Sequence, residues 1–178
     1  MSMSRWRFLF CVAAVCVLSA CGSATFQLDA LTPVEPSATR ERAMRRLSLA
    51  TAYYEQNQNA FALQETRLAL QIDPQFAQAY SLLGLIHQRD KAPQLAQQSF
   101  EQALHWGSMA PVRAAELAEI QHNYGWFLCE QNQFTQAQTQ FDQALSQPNY
   151  RYADKTTKAV ALCQQRALVQ ASATKRND

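Results

Sequence analysis

The sequence predicts an all-α fold, a right-handed superhelical solenoid built from antiparallel helix pairs. Two observations carry that prediction. Leu49, Ala50, Tyr53, Ala62, Ala69 and Leu70 recur 34 residues later, without a gap, as Leu83, Gly84, His87, Ala96, Ala103 and Leu104. A third copy follows, displaced by seven further residues, with Tyr124, Gly125, Leu128, Ala137, Phe141, Ala144 and Leu145 at the corresponding places. A helix pair of this size cannot bury its own apolar face, so successive pairs must stack, and the stack leaves a concave side open to a partner.

The period and the apolar pattern resemble the tetratricopeptide repeat (TPR). Small residues at the eighth place (Ala50, Gly84, Gly125) and the twentieth (Ala62, Ala96, Ala137) let the two helices of a unit approach closely, while Phe100 and Phe141 fill the space between units. Glycine inside a helix costs about 1 kcal/mol relative to alanine, so two glycines at the eighth place imply a packing compensation. Unit 1 is read as residues 43–76, ended by Asp73-Pro74, and unit 2 as 77–110, ended by Gly107 and Pro111. Unit 3 spans 111–151 with the seven-residue insertion near Gly107 to Leu117, and Pro148 closes it. Residues 152–170 carry a partial fourth repeat or capping helix, legible from Asp154 to Val169 with Ala161 and Leu162 as packing residues, and 171–178 read as a disordered tail.

The amino terminus reads as an address. Arg5 and Arg7 precede an apolar run from Phe8 to Leu18, too short for a stable bilayer span, and Leu18-Ser19-Ala20-Cys21 closes it. This resembles the lipobox of bacterial lipoprotein signal peptides. The resemblance implies removal of residues 1–20, a covalent lipid on Cys21, and, because Gly22 rather than aspartate follows, residence in the outer membrane facing the periplasm. The alternative is an ordinary secretory signal. Several acyl chains at roughly 0.8 kcal/mol per buried methylene would make such an anchor long-lived. Residues 21–42, with Pro33 and Pro36, read as the lipidated cysteine and a flexible tether, on the order of 25 Å end to end.

The net charge of +2 comes from Arg5 and Arg7, leaving a neutral mature chain with no electrostatic footprint for nucleic acid. Arg40, Arg42, Arg45 and Arg46 cluster where the first helix begins, as a solvated face near the membrane or as a lipid headgroup contact. Cys129 and Cys163 remain once the signal is gone and Cys21 is modified. They fall on adjacent helices, placed for a disulfide or else standing as two buried thiols. The chain lacks Cys-x-x-Cys, His-Glu-x-x-His, a phosphate loop and a Gly-x-Ser-x-Gly elbow. Glu119 and His122 make a single Glu-x-x-His, half of what a carboxylate-bridged dimetal site requires, and read as a surface or groove pair. His87 reads as a core histidine. No enzyme activity, cofactor, metal or small-molecule substrate is expected.

Places two, five, nine and twelve of each first helix form a second stripe, the one that lines the concave groove. It carries Met44, Leu47, Thr51 and Tyr54, then Gln78, Ser81, Leu85 and Gln88, then Glu119, His122, Trp126 and Cys129. Trp126 is either a groove residue or a packing residue. The apolar, aromatic amino-terminal end suits an amphipathic helix or extended peptide. Leu47, Thr51, Leu82 and Glu119 stand where a carboxylate clamp would need donors, which argues against binding of chaperone tails.

The run His122-Asn123-Tyr124-Gly125-Trp126-Phe127-Leu128-Cys129 resembles the PilF/PilW family of type IV pilus biogenesis and stability lipoproteins, and the lipobox, repeat register and Cys163 agree with it. The resemblance implies a pilotin, monomeric, that binds the pilus secretin and promotes its outer-membrane localisation or multimerisation, in support of twitching motility. The alternative function is a general envelope TPR scaffold for peptidoglycan enzymes or an outer-membrane assembly machine. Family members usually carry about six units, twice the number legible here.

Overall fold

Among the described residues every element of the computed structural model is a helix, and the repeat register decides where each one turns. The structure describes residues 36–109 and 114–177, which fall within one compact unit beginning at Glu35. The expected signal peptide, Cys21 and most of the expected tether lie outside the described residues. The helices are α1 Pro36–Glu55, α2 Asn59–Ile72, α3 Ala77–Arg89, α4 Pro93–Met109, α5 Ala114–Glu130, α6 Phe134–Leu145 and α7 Ala153–Asn177. Pairs α1/α2, α3/α4 and α5/α6 are the three TPR units, and α7 packs on α5 and α6.

The turn inside each unit repeats atom for atom. Asn57, Lys91 and Asn132 hold the left-handed conformation, with φ of 61°, 58° and 61°. The next amide in each case reaches back five residues: Gln58 N–H to Tyr53 O, Ala92 N–H to His87 O and Gln133 N–H to Leu128 O, all at 2.9 Å. This double-bonded helix stop satisfies carbonyls that would otherwise be orphaned and reverses the chain in three residues. Asparagine tolerates that conformation; Lys91 occupies it at a steric cost.

Packing follows the small-to-large complementarity expected at the eighth place. A Cβ built on Gly84 would lie 2.8 Å from the Phe100 ring, and one on Gly125 would lie 2.8 Å from the Phe141 ring. Each phenylalanine therefore fills the space within its own unit, a correction to the expectation that it fills the space between units. Phe100 also reaches the next unit, with ring centroids 5.5 Å from Tyr124 and 5.4 Å from Phe127. One apolar cluster thus runs from Ala96 and Phe100 through Phe127 and Phe141 to Ala159 and Cys163, binding α4, α5, α6 and α7 into one core.

Five further expectations need correction. Ala161 and Leu162, expected as the packing residues of α7, are both exposed, and Ala159 and Cys163 are buried in their place. The first helix begins at Pro36, inside the segment expected to be tether. Proline is tolerated in a helix's first turn, and the early turns are held because Arg40 Nε pairs with Asp73 at 3.0 Å and its guanidinium lies 4.5 Å over the Phe76 ring. Arg46 likewise pairs with Glu65 at 2.9 Å, so two of the four clustered arginines are tertiary anchors within unit 1. Gly107 does not end its helix: α4 continues to Met109, and the buried glycine admits Leu117 Cδ1, 3.2 Å from where its Cβ would stand. The seven-residue displacement is therefore taken up partly by added helix at α4. Finally α7 reaches Asn177, replacing the expected tail, because neither glycine nor proline interrupts the run of alanine, glutamine, leucine and basic residues after Ala153.

Candidate functional site

A groove of about 580 Å³ opens where the first helices of the three units face one another. One wall carries Leu47, Thr51 and Tyr54 of α1; the floor carries Gln78, Ser81, Leu82 and Leu85 of α3; the far wall carries Glu116, Glu119, Ile120, His122 and Asn123 of α5. The second stripe of each first helix supplies most of this lining. Four of its members stand elsewhere. Met44 is exposed one turn before Leu47 and does not reach the groove. Gln88 Nε2 donates to Glu130 at 2.6 Å, tying α3 to α5 beyond the groove's end. Cys129 is fully buried in a disulfide with Cys163, Cα to Cα 5.8 Å, which joins α5 to α7. Trp126 packs against the main core and lines a different cleft.

The chain's sequence periodicity gave no sign of the groove's last contributors. Tyr150 and Tyr152, from the connection between α6 and α7, and Lys155, from the first turn of α7, close its far end. Connections carry no helical period, so the only available cue was the pair of tyrosines flanking Arg151 after the Pro148-Asn149 turn. Asn123, at place six, was missed as well; its Nδ2 donates to Ser81 Oγ at 3.2 Å and links the groove walls of units 2 and 3.

A buried polar chain braces the far wall. His122 Nδ1 lies 2.8 Å from Thr156 Oγ1, and Tyr150 OH lies 2.9 Å from the same oxygen. His122 is 6% exposed and Thr156 is fully buried, so the hydrogen bonds supply what water cannot. Burial, reinforced by the Lys155 charge, lowers the His122 pKa to about 4, and the ring is neutral at ordinary pH. Burial also raises the Glu119 carboxyl, with Glu116 adding to the rise and Lys155 and Arg151 opposing it. Burial raises the Tyr150 phenol.

On the near wall, Thr51 Oγ1 donates to Leu47 O at 2.9 Å, so its hydroxyl is satisfied within α1. Arg89 stacks 3.5 Å from the Tyr54 ring centroid. The near wall thus sets the apolar and aromatic Leu47 and Tyr54 beside Thr51 and Glu55, the floor sets Leu82 and Leu85 beside Gln78 and Ser81, and the far wall is mostly polar, with Glu116 and Glu119. Such a surface can hold a peptide or helix through apolar anchors, with hydrogen-bonding groups along one edge. His87 is buried, as a core histidine should be, and burial lowers its pKa. Among the described residues no group of three His, Cys, Asp or Glu side chains could hold a metal, and no helix is long and apolar enough to cross a membrane.

No protein-family model matches the chain. It is similar to an uncharacterized protein of Haemophilus influenzae, 31% identical over 121 residues that cover 68% of this chain and 64% of that protein. It is also similar to the type IV pilus assembly protein PilF of Pseudomonas aeruginosa, 30% identical over 91 residues, 51% of this chain and 33% of that one. Among solved structures, the crystal structure of PilW, described as a widely conserved type IV pilus biogenesis factor, aligns with a TM-score of 0.62 at 30% identity over 69% of this chain and 53% of PilW. Pseudomonas aeruginosa PilF aligns with a TM-score of 0.64 at 27% identity, covering 74% and 58%. The amino-terminal domain of the stress-induced protein-1 of C. elegans, at 20% identity and a TM-score of 0.56, shares the fold alone. The chain spans between a third and just under two thirds of the length of the curated relatives it matches.

Proposed function

We propose that this chain, a PilF/PilW-like tetratricopeptide protein, serves type IV pilus biogenesis by capturing a segment of a partner protein in the groove between α1, α3 and α5. The observation that carries the reading is the groove itself: Leu47, Tyr54, Leu82 and Leu85 of two units and polar residues of all three converge on one concave surface whose far wall is braced from behind. In the fuller form of the reading, the partner is the pilus secretin. A lipid on Cys21 holds the chain at the periplasmic face of the outer membrane, and capture carries the secretin to its site of assembly. The mechanism is tethered capture. The anchor supplies location, and the groove supplies the partner.

Thr51→Arg with Gln78→Arg fills the groove from side chains that are only half-buried, so helicity and Tm are expected to hold. In the native envelope, crosslinking from the unaltered full chain is expected to recover secretin peptides, and the double variant is expected to lose them. Recovery of peptidoglycan enzymes or outer-membrane assembly components instead would move the function to a general envelope scaffold. Cys21→Ser is expected to release the chain from membranes; membrane retention by that variant would remove the anchor from the mechanism.

A further inference from the structure

Most of the neutral polar groups that line the concave groove are already engaged inside the protein. Thr51 donates to its own helix, Asn123 donates to Ser81, and His122 and Tyr150 share the Thr156 hydroxyl. These contacts hold the walls in place and leave those groups little to offer a ligand. Charge is what remains. Among the described residues Glu55, Glu116 and Glu119 line the groove against one lining cation, Lys155.

Glu119 is the carboxylate that the geometry singles out. It is half-buried in the far wall, one turn from both Glu116 and His122 on the same face of α5. Among the described residues it makes no hydrogen bond and no ion pair. Lys155 and Arg151 act on it only from farther off, and Arg151 is exposed, with its guanidinium 5.5 Å over the Tyr152 ring. Burial raises the Glu119 carboxyl and the Glu116 charge adds to the rise, more than those two cations offset. A carboxylate drawn from water without a direct partner is costly in the free protein, and a cation that arrives with a ligand offsets that cost. Tyr150 and Tyr152, edge to face at 6.3 Å between centroids, line the same end and add aromatic surface that favours a cation.

We infer that the groove selects a segment of its partner that sets an arginine or lysine beside aliphatic side chains, the basic group against Glu119 and the aliphatic ones against Leu47, Tyr54, Leu82 and Leu85. An acidic segment, or a chain-terminal carboxylate, would meet three like charges. A wholly apolar segment would desolvate Glu119 further and leave it without a partner. A bare metal ion lacks its ligands, since among the described residues no three His, Cys, Asp or Glu side chains converge. The inference rests on the reading of this groove as the capture site and adds the chemistry by which the groove chooses its partner. Glu119 is then the specificity-determining residue.

The test selects a phage-displayed library of random peptides on the immobilised full chain and sorts the binders by whether Thr51→Tyr with Gln78→Tyr, which fills the groove without adding charge, abolishes them. The groove-dependent peptides are expected to be enriched in arginine or lysine beside aliphatic residues. In fluorescence anisotropy, replacing the basic residue of such a peptide by glutamine is expected to weaken binding at least about tenfold. On the Glu119→Gln chain the two peptides are expected to bind alike, whereas Glu41→Gln, exposed on α1 outside the lining, is expected to keep the difference. The Tm of Glu119→Gln is expected to hold or rise, because the amide carries no charge to desolvate. Groove-dependent peptides without basic enrichment would overturn the inference and leave the capture site standing; the absence of any groove-dependent peptide would overturn both. A basic-residue dependence that survives Glu119→Gln, a loss reproduced by Glu41→Gln, a fall in Tm on Glu119→Gln, or self-association of the chain that Glu119→Gln removes would each overturn the inference as well.

Discussion

Replacing Gly84 by alanine tests the packing logic of the whole stack, because helix propensity and tertiary packing predict opposite signs. Propensity alone favours the substitution by about 1 kcal/mol. The new Cβ, however, would stand 2.8 Å from Phe100 Cε1 and Cζ and 2.9 Å from Cδ1. Carbon contacts settle at about 3.5–4.0 Å, so the ring or the helix must retreat by roughly 0.7 Å or more. Phe100 is fully buried and stacked on Tyr124 and Phe127 of the next unit, so retreat disturbs two units at once. Overpacking of this kind costs about 1–3 kcal/mol, leaving a net loss of about 1 kcal/mol after the propensity gain. At about 2–4 °C per kcal/mol for a chain of this size, thermal unfolding followed at 222 nm should fall by a few degrees. Phe100→Leu in the same background should recover part of the loss, with a coupling of at least about 0.5 kcal/mol in a double-mutant cycle. Gly107→Ala serves as the internal control, since its Cβ meets the movable ends of Leu117 and Ile120 at 3.2 and 3.4 Å and Ala77 Cβ at an ordinary contact distance of 3.7 Å. It should be close to neutral. A rise in Tm for Gly84→Ala, or a cycle without coupling, would refute the argument.

Three further outcomes follow from the same structure. Lys91→Asn removes a lysine from a φ of 58° and should stabilise by roughly 0.5–1 kcal/mol in urea unfolding; no change would mean that the lysine is unstrained there. Peptide mapping without reductant should recover the Cys129 and Cys163 peptides joined, and Cys163→Ser should cost about 4 kcal/mol by loop entropy across a separation of 34 residues, to be read from denaturant midpoints. His122 has a folded pKa near 4 against an ordinary 6.5, so the unfolded chain binds the extra proton first. Stability is then fully present above pH 6.5 and falls as pH drops toward 4, by about 2 kcal/mol once partial solvent screening is allowed for. The difference in stability between the unaltered chain and His122→Gln should shrink over that window. A constant difference would show the ring to be unburdened by burial.

Much of the fold was legible because a repeat states its own packing. Gly84 and Gly125 stand opposite Phe100 and Phe141, whereas the first unit places Ala50 and Thr66 in the same registers, and that covariation inside one chain is visible without coordinates. The groove's near wall and floor were legible for the same reason: Leu47, Thr51 and Tyr54 share a face of α1 by spacing alone, and Gln78, Ser81 and Leu85 share a face of α3. Tyr150, Tyr152 and Lys155 were not, because they come from a connection and from a helix whose place in the stack the period does not fix. Trp126 and Cys129 share the stripe of Glu119 and His122 and yet leave the groove. The arrival of α7 alongside α5 buries that end of the stripe, and no property of α5 alone announces it.

By itself the sequence determined the all-α repeat, its three complete units and the small residues at the eighth and twentieth places where paired helices approach. These are local consequences of spacing, since residues three, four and seven apart share a face wherever the helix is placed. Only the tertiary structure decided that Arg40 and Arg46 anchor unit 1 from within, that Gly107 sits inside a continuing helix, and that Trp126 and Cys129 leave the groove for the core. Each of those depends on what lies across a gap from the residue in question, and that is set by the stacking of units, which no single helix encodes.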